Sequence, residues 1–281
     1  MSAEVPISWD TGSISSIYRT SNLKAIRLKT ALLYGGGVSY RTSKCNTCKQ
    51  HSSNCLGGLV TISGENVSIS GCSANNCISG GILVINNEEG AGGDGYTVSG
   101  CKVERSYLGL LAAGEGNFTG NTLSGNSYGL VIYDVNNSLI CDNIVTGNCL
   151  AGIAFDPDLE EIIPHTGLLR SMESPASGNN TIYNNYFNNV NNTLFCSEAN
   201  NTWNTSKTAG KSIVGGPYLG GNYWANPSGT GFSENCTDAD RDGIADSSCE
   251  IKNGTFDYLP LRLFLRQRPR TRVPQTTSHQ V

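Results

Sequence analysis

Residues 127–148, SYGLVIYDVNNSLICDNIVTGN, hold one complete copy of a unit that much of this chain repeats. Gly129 opens a short apolar run, Leu130-Val131-Ile132. A polar turn leads to a second run, Leu139-Ile140. The corner Cys141-Asp142-Asn143 leads to a third, Ile144-Val145, and Gly147-Asn148 closes the unit. Three short β-prone runs separated by polar corners form the pattern of one coil of a parallel β-helix. One coil cannot bury its own apolar faces, so its neighbours must stack on it.

The copies fall in phase. The opening glycine recurs at Gly58, Gly81, Gly109, Gly129 and Gly152, each followed by Leu or Ile. Before it comes a second marker: Asn54-Cys55-Leu56, Asn76-Cys77-Ile78, Arg105-Ser106-Tyr107, Asn126-Ser127-Tyr128 and Asn148-Cys149-Leu150. A third marker ends in Asn or Cys, at Cys72, Cys101, Asn121, Asn143 and Asn185. A β-sandwich of unrelated strands would not keep three markers in fixed order. The expected fold is therefore all-β, a solenoid of coils of about 20–23 residues.

Composition agrees. There are 34 glycines, and only 15% of residues are charged, which suits many turns and few solvated helical faces. The eleven cysteines sit largely at matching repeat positions. Neighbouring strands lie about 4.8 Å apart, within disulfide reach, so Cys55–Cys77 and Cys72–Cys101 are the expected pairs. An odd count leaves at least one thiol over. The alternative is buried, reduced cysteine acting as a small apolar side chain. Asn-x-Ser/Thr acceptors stand at Asn66, Asn117, Asn136, Asn179, Asn191, Asn200, Asn204, Asn235 and Asn253. With the cysteines they point to an oxidising, extracellular or cell-surface location and a glycoprotein. Residues 1–10 hold no apolar signal region, so a mature or partial product is expected. No run is long enough to span a membrane.

Residues 1–57 are expected to form an N-terminal cap and irregular first coils, with Leu23 to Tyr40 read as an opening helix or an early coil. The spacing Cys45-x2-Cys48-x2-His51-x3-Cys55 is short for a zinc knuckle. Regular repeats are expected over 58–195. The opening glycine precedes the second run by 11 residues in the copies at Gly58 and Gly129, by 17 at Gly81 and by 30 at Gly152. Two insertions, Asn86–Gly95 and Asp156–Asn180, therefore leave one corner of the coil. In solenoids such insertions often build the binding face. The repeat brings Glu115 and Asp134 to the same corner, giving an acidic stripe with Glu88, Glu89, Asp94, Asp156 and Asp158. That stripe is either a groove for a cation or a sugar polymer, or a set of solvated turns. Asp156, Asp158 and His165 are the catalytic candidates if the chain is an enzyme, since paired carboxylates do acid–base work on glycosidic bonds. Gly152 to Asp158 distantly resembles the Asp-Pro-His-Asp motif of alginate epimerases, with Asp158 where His is expected. No Lys or Arg is placed beside these acids by the repeat.

Residues 179–189 (NNTIYNNYFNN), 201–210 (NTWNTSKTAG) and 215–224 (GGPYLGGNYW) resemble the closing segment of NosD-like right-handed β-helix proteins, also known as carbohydrate-binding/sugar-hydrolase repeat domains. These are abundant as archaeal surface proteins, and the resemblance runs from about Gly58 to Leu261. It implies a right-handed β-helix whose C-terminal cap, residues 196–261, is closed by aromatics, here Trp203, Tyr218, Tyr223 and Trp224.

Within that cap, Asp238-Ala-Asp240-Arg-Asp242-Gly243-Ile244-Ala-Asp246 follows the ligand order of a calcium loop. Carboxylates stand at positions 1, 3, 5 and 9, Gly at 6, and the Ile244 carbonyl at 7. Position 12 is Cys249 in place of Glu. The family pattern ends in Asp-Tyr-Leu-Pro-Leu, matched by residues 257–261, and Asp257 is a further candidate ligand. Cys236 and Cys249 flank the loop as a candidate clamp. Ca2+ is thus the expected cofactor.

The tail, 262–281, has five Arg and no acid, so net charge without it moves from −4 to −9 (14 basic minus 23 acidic residues). It reads as a disordered basic linker. Without aromatic interleaving or a basic face, nucleic acid is not an expected partner. The reading favoured by the sequence is a non-catalytic, calcium-stabilised surface β-helix with an envelope, adhesion or glycan-contact role. A polysaccharide lyase, epimerase or hydrolase is the alternative. A NosD-type copper-maturation accessory is the remote one, because two Met and three His are scattered through the chain.

Overall fold

The computed structural model describes short strands between residues 17 and 62, then residues 67–85, 95–159, 177–198, 200–252 and 254–264. The members Glu88, Glu89 and Asp94 of the acidic stripe, His165, Cys45, Cys55, the acceptor sites at Asn66 and Asn253, and the basic tail beyond 264 lie outside the described residues.

The chain winds as a right-handed parallel β-helix. One coil runs Leu108–Ala113, Gly116–Thr119, Thr122–Ser124, and the next Tyr128–Ile132, Leu139–Cys141, Ile144–Thr146. Like strands of successive coils pair in parallel and build three sheets. Sheet I contains Leu108–Ala113 and its equivalents, from Ile17–Arg19 to Thr193–Phe195, eight strands in all. Sheet II has six, around Gly116–Thr119, and sheet III eight, around Thr122–Ser124. Strands Ile17–Arg19, Lys29–Ala31 and Val38–Arg41 join these sheets in register, so the stretch Leu23 to Tyr40 follows the early-coil alternative where it is described, at Lys29–Ala31 and the start of Val38–Arg41. Cys48 and His51 lie on strands of different sheets, II and III.

Register places the opening glycines in one column. Leu108 pairs with Gly80 and with Tyr128, and Tyr128 with Ala151, which aligns Gly81, Gly109, Gly129 and Gly152. Gly58 joins them through Gly57↔Gly80 and Leu59↔Ile82. The column excludes side chains: a Cβ on Gly109 would stand 2.3 Å from the Gly129 carbonyl oxygen. Inside the coils, alternate residues stack as apolar columns, such as Val98–Phe118–Ile140–Ile182 and Val103–Leu123–Val145–Phe187–Trp224, all buried. The central strands of sheet I, from Gly80–Ile85 to Ala151–Phe155, are buried on both faces. Leu83, Leu111, Val131 and Ala154 point away from the main core and form a second apolar cluster with Leu159 and Tyr133. This accounts for runs such as Gly80–Ile85, which are apolar throughout rather than alternating.

The C-terminal end is closed by rings. Trp224 stacks on Phe187 at 4.9 Å and lies 5.6 Å from Trp203, which packs edge-on to Phe155. Tyr223 stacks on Tyr186. Trp203, Tyr223 and Trp224 are buried and Tyr218 is half-buried. Large rings end a stack of coils well because each covers wide apolar area while keeping a polar edge.

Candidate functional site

The polar side chains that mark the repeat are largely taken up by the fold. At the corner between sheets II and III, Cys72, Cys101, Asn121, Asn143, Asn185 and Asn222 form a ladder. The Asn143 Oδ1 accepts the Asn121 backbone N–H at 2.9 Å and its side-chain amide at 3.0 Å. Its Nδ2 donates to the Phe118 carbonyl at 2.8 Å and to Asn185 Oδ1 at 2.9 Å. Every polar group of a buried amide is thereby matched, which a coil corner requires. A second ladder runs Cys77, Ser106, Asn126, Asn148, Asn189 between sheets III and I. A third links Ser138, Asn180 and Asn201. The second ladder shifts one marker: Cys77 and Ser106 align with Asn126, so Asn76 and Arg105 share the left-handed corner column of Gly125 and Gly147.

These ladders revise the expected Cys72–Cys101 disulfide, while Cys55 of the expected Cys55–Cys77 pair lies outside the described residues. No disulfide joins the described cysteines. Cys72 donates its backbone N–H to the Cys101 Sγ at 3.4 Å, so the two thiols stand in the ladder where later coils use Asn. The hydrogen bond with Cys72 and then burial hold the Cys101 thiol protonated.

Of the catalytic candidates, His165 lies outside the described residues, and Asp156 and Asp158 differ sharply in their surroundings. Asp156 is buried in a left-handed corner. Its Oδ1 accepts the Asp134 N–H at 2.8 Å and the Ser177 hydroxyl at 2.6 Å. Its Oδ2 accepts the Ser177 N–H at 2.8 Å and the Ser197 hydroxyl. Four donors pin it as the tie across the 160–176 insertion, the reverse of a poised base. Asp158 is exposed. Glu115 and Asp134, the remaining described acids of the stripe, are half-exposed.

The acidic loop does converge. Oxygens of Asp238, Asp240 and Asp242 lie within 4.8 Å of one another. Backbone amides hold them there: Asp238 accepts from Asp242 and Gly243 at 3.0 Å each, and Asp242 Oδ1 accepts from Ile244 at 2.8 Å. The turn passes through left-handed Arg241 and Gly243. Lys207 pairs with Asp242 and places its ammonium 4.9 Å from the Tyr218 ring centre. Asp246 turns back to accept the Ala239 N–H at 3.0 Å. The Ile244 side chain is buried against Tyr223 and Leu261.

Asp257 is placed elsewhere. The strand Thr255–Asp257 pairs antiparallel with Cys249–Lys252, and its alternation turns Asp257 inward until it is fully buried. Its Oδ2 accepts the Asn222 N–H at 2.7 Å and the Trp224 Nε1–H at 2.9 Å, and its Oδ1 the Leu259 N–H at 3.1 Å. It therefore ends the first ladder rather than serving the loop. Burial pushes its carboxyl up to about 6 against the pull of those donors. The expected Cys236–Cys249 clamp is not formed. Sequence reading found these acids but not this division of labour, and the signal it passed over was the Asn in the third marker.

A family model described as Periplasmic copper-binding protein (NosD) matches residues 20–229. No curated protein and no solved structure matches. Copper is held by thiolate, thioether or imidazole donors. Among the described residues, the cluster with ligand spacing is the all-carboxylate set Asp238, Asp240, Asp242, which suits a hard cation. Burial first, then Asp142, pushes the Cys141 thiol up to about 12, and burial followed by Asp257 does the same for Cys249. His51 is exposed and hydrogen-bonded to Ser73. The described residues do not fit copper. No helix among them is long and apolar enough to cross a membrane.

Proposed function

The chain belongs to the NosD family, and from that premise we propose that it is a non-catalytic β-helix working outside the cytoplasm. On this reading it is a rigid surface scaffold in the envelope that contacts glycan and is tied at its C-terminal end by calcium. The observation that carries it is the use of Asp156. The acid in the large insertion that chemistry would need is buried and saturated by Asp134, Ser177 and Ser197. Polar side chains at the coil corners are likewise engaged in ladders.

The calcium part is supported by the convergence of Asp238, Asp240 and Asp242. Three carboxylates in one turn repel one another, and Lys207 offsets a single charge. An ion bound only by the folded cap raises the melting temperature by mass action. Thermal melts in calcium and in excess chelator, with magnesium as control, test this part. A higher melting point in calcium supports it, and coincident melts contradict it. A glycan array with the intact chain tests the contact role. Release of oligosaccharide from uronate polymers would instead favour the enzymatic alternative.

A further inference from the structure

A groove of about 420 Å³ runs parallel to the helix axis along the corner between sheets III and I. Coil register sets its walls. One wall is the left-handed corner column Asn76, Arg105, Gly125 and Gly147, linked coil to coil through backbone amides. The other is Ile78, Tyr107, Ser127 and Cys149. The floor between them is the second ladder, whose Ser106 and Asn126 are buried and already hydrogen-bonded. The floor therefore has little polarity left to offer, and recognition falls to the walls.

Arg105 is the cation of those walls. It is exposed, and its backbone sits at φ +50, a conformation that later coils reach with glycine. Its guanidinium takes no hydrogen bond or ion pair among the described residues. The adjacent acid, Glu104, is held by Lys102 at 2.9 Å and by Ser124 at 3.3 Å, and Arg105 adds a weaker attraction to it without forming an ion pair. No carboxylate lines the groove. Across from Arg105, the Tyr107 ring is fixed edge-on against Tyr128 at 6.0 Å, and Ile78 is 74% exposed. Gly125 and Gly147 leave the wall open on the next two coils.

From this arrangement we infer that the groove is a binding site for an acidic linear polysaccharide, a polymer bearing carboxylated sugars. The inference rests on the glycan-contact reading and names its place and charge. Three coil steps span about 14 Å, the reach of a few sugar rings. The apolar face of a ring lies on Tyr107 and Ile78. Its carboxylate meets the planar guanidinium of Arg105 in a two-point, charge-assisted pair. A peptide strand fits less well, because the backbone N–H groups of Asn76, Arg105, Gly125 and Gly147 on one wall and of Tyr107, Ser127 and Cys149 on the other already donate from coil to coil.

The test is calorimetric titration of the intact chain with tetragalacturonate and with a neutral galactose tetramer. Two variants accompany it. Arg105→Gly places glycine where the backbone favours it, so the fold is kept. Gly125→Asn fills the open wall, since a Cβ there meets nothing within 4 Å, and Asn already occupies this column at Asn76. The acidic tetramer is expected to bind at least about tenfold more tightly than the neutral one. Arg105→Gly is expected to abolish that preference with an unchanged or raised melting point, and Gly125→Asn to weaken both ligands. Equal affinity for the two tetramers, or binding indifferent to Arg105→Gly, overturns the inference. Array binding that persists in both variants would place glycan contact elsewhere and leave the broader reading standing. A wild-type chain that binds no glycan in either assay would remove both.

Discussion

The coils of residues 95–159 and the cap of residues 201–261 solve the same problem with different chemistry. In the coils, the buried corners on either side of sheet III are closed by neutral groups, Asn121 handing its hydrogen bonds to Asn143 and Asn143 to Asn185, and the one buried acid, Asp156 at the end of a sheet I strand, is taken up by four donors. In the cap, the same ladder ends on an acid, Asp257, and the nearby turn gathers three more at Asp238, Asp240 and Asp242. A neutral amide donates and accepts, so it repeats indefinitely and is indifferent to pH and ions. A carboxylate only accepts, so it can terminate a ladder, and it makes the terminus respond to protons and cations. The third ladder shows the alternative ending: it stops at Asn201, whose Nδ2 has no partner among the described residues.

The largest expected effect lies in the coils. Asn143→Ala removes four hydrogen bonds and takes from the buried Asn121 its backbone N–H acceptor and its side-chain acceptor. A cost on the order of 4 kcal/mol is expected in chemical denaturation, with coils on both sides lost together. Trp224→Ala is of similar size, at about 3–5 kcal/mol for a buried ring. It also deletes the Asp257 hydrogen bond. Limited proteolysis should cut this variant first within 201–261, with 95–159 still protected.

The pH response follows in size. The folded-state carboxyl of Asp257 lies near 6, above its ordinary value of 3.8, with burial as the main cause. The folded cap therefore prefers the neutral acid. This contribution is fully present below about pH 4 and is lost as pH rises through 6. Linkage puts the difference at about 3 kcal/mol. Asp257→Asn should flatten the change, which is read as the difference between wild-type and variant stability from pH 4 to 8. Calcium is expected to act most mildly. At ten times its dissociation constant it adds about 1.4 kcal/mol and raises the melting temperature by a few degrees. Asp240→Asn should remove that gain while changing the chelated protein little, because Asp240 is exposed and accepts one long hydrogen bond.

Much of this architecture was legible from the repeat itself. The glycine column could be located because a Cβ there collides with the next coil, with its backbone at Gly58, Gly109 and Gly129, with the Val103 side chain at Gly81, and with backbone and side chain alike at Gly152. The aromatic closure followed from the resemblance. The ladders were less legible, because Cys, Ser and Asn can fill one ladder position. Asn76 beside Cys77 thus invited an alignment one residue out. Matching cysteines such as Cys72 and Cys101 suggested a covalent staple where the structure has stacked thiols. Asp156 and Asp257 were visible as acids, but their burial depends on distant partners, Ser177 and Ser197 for the first and Asn222 and Trp224 for the second. No local pattern encodes that.

Hydrogen exchange across the whole chain at pH 5 and pH 7.5, each with calcium and with chelator, tests the contrast most directly. Protection in 201–261 should change with both variables while that in 95–159 holds steady. Equal shifts in the two regions, or a shift confined to the coils, would contradict it.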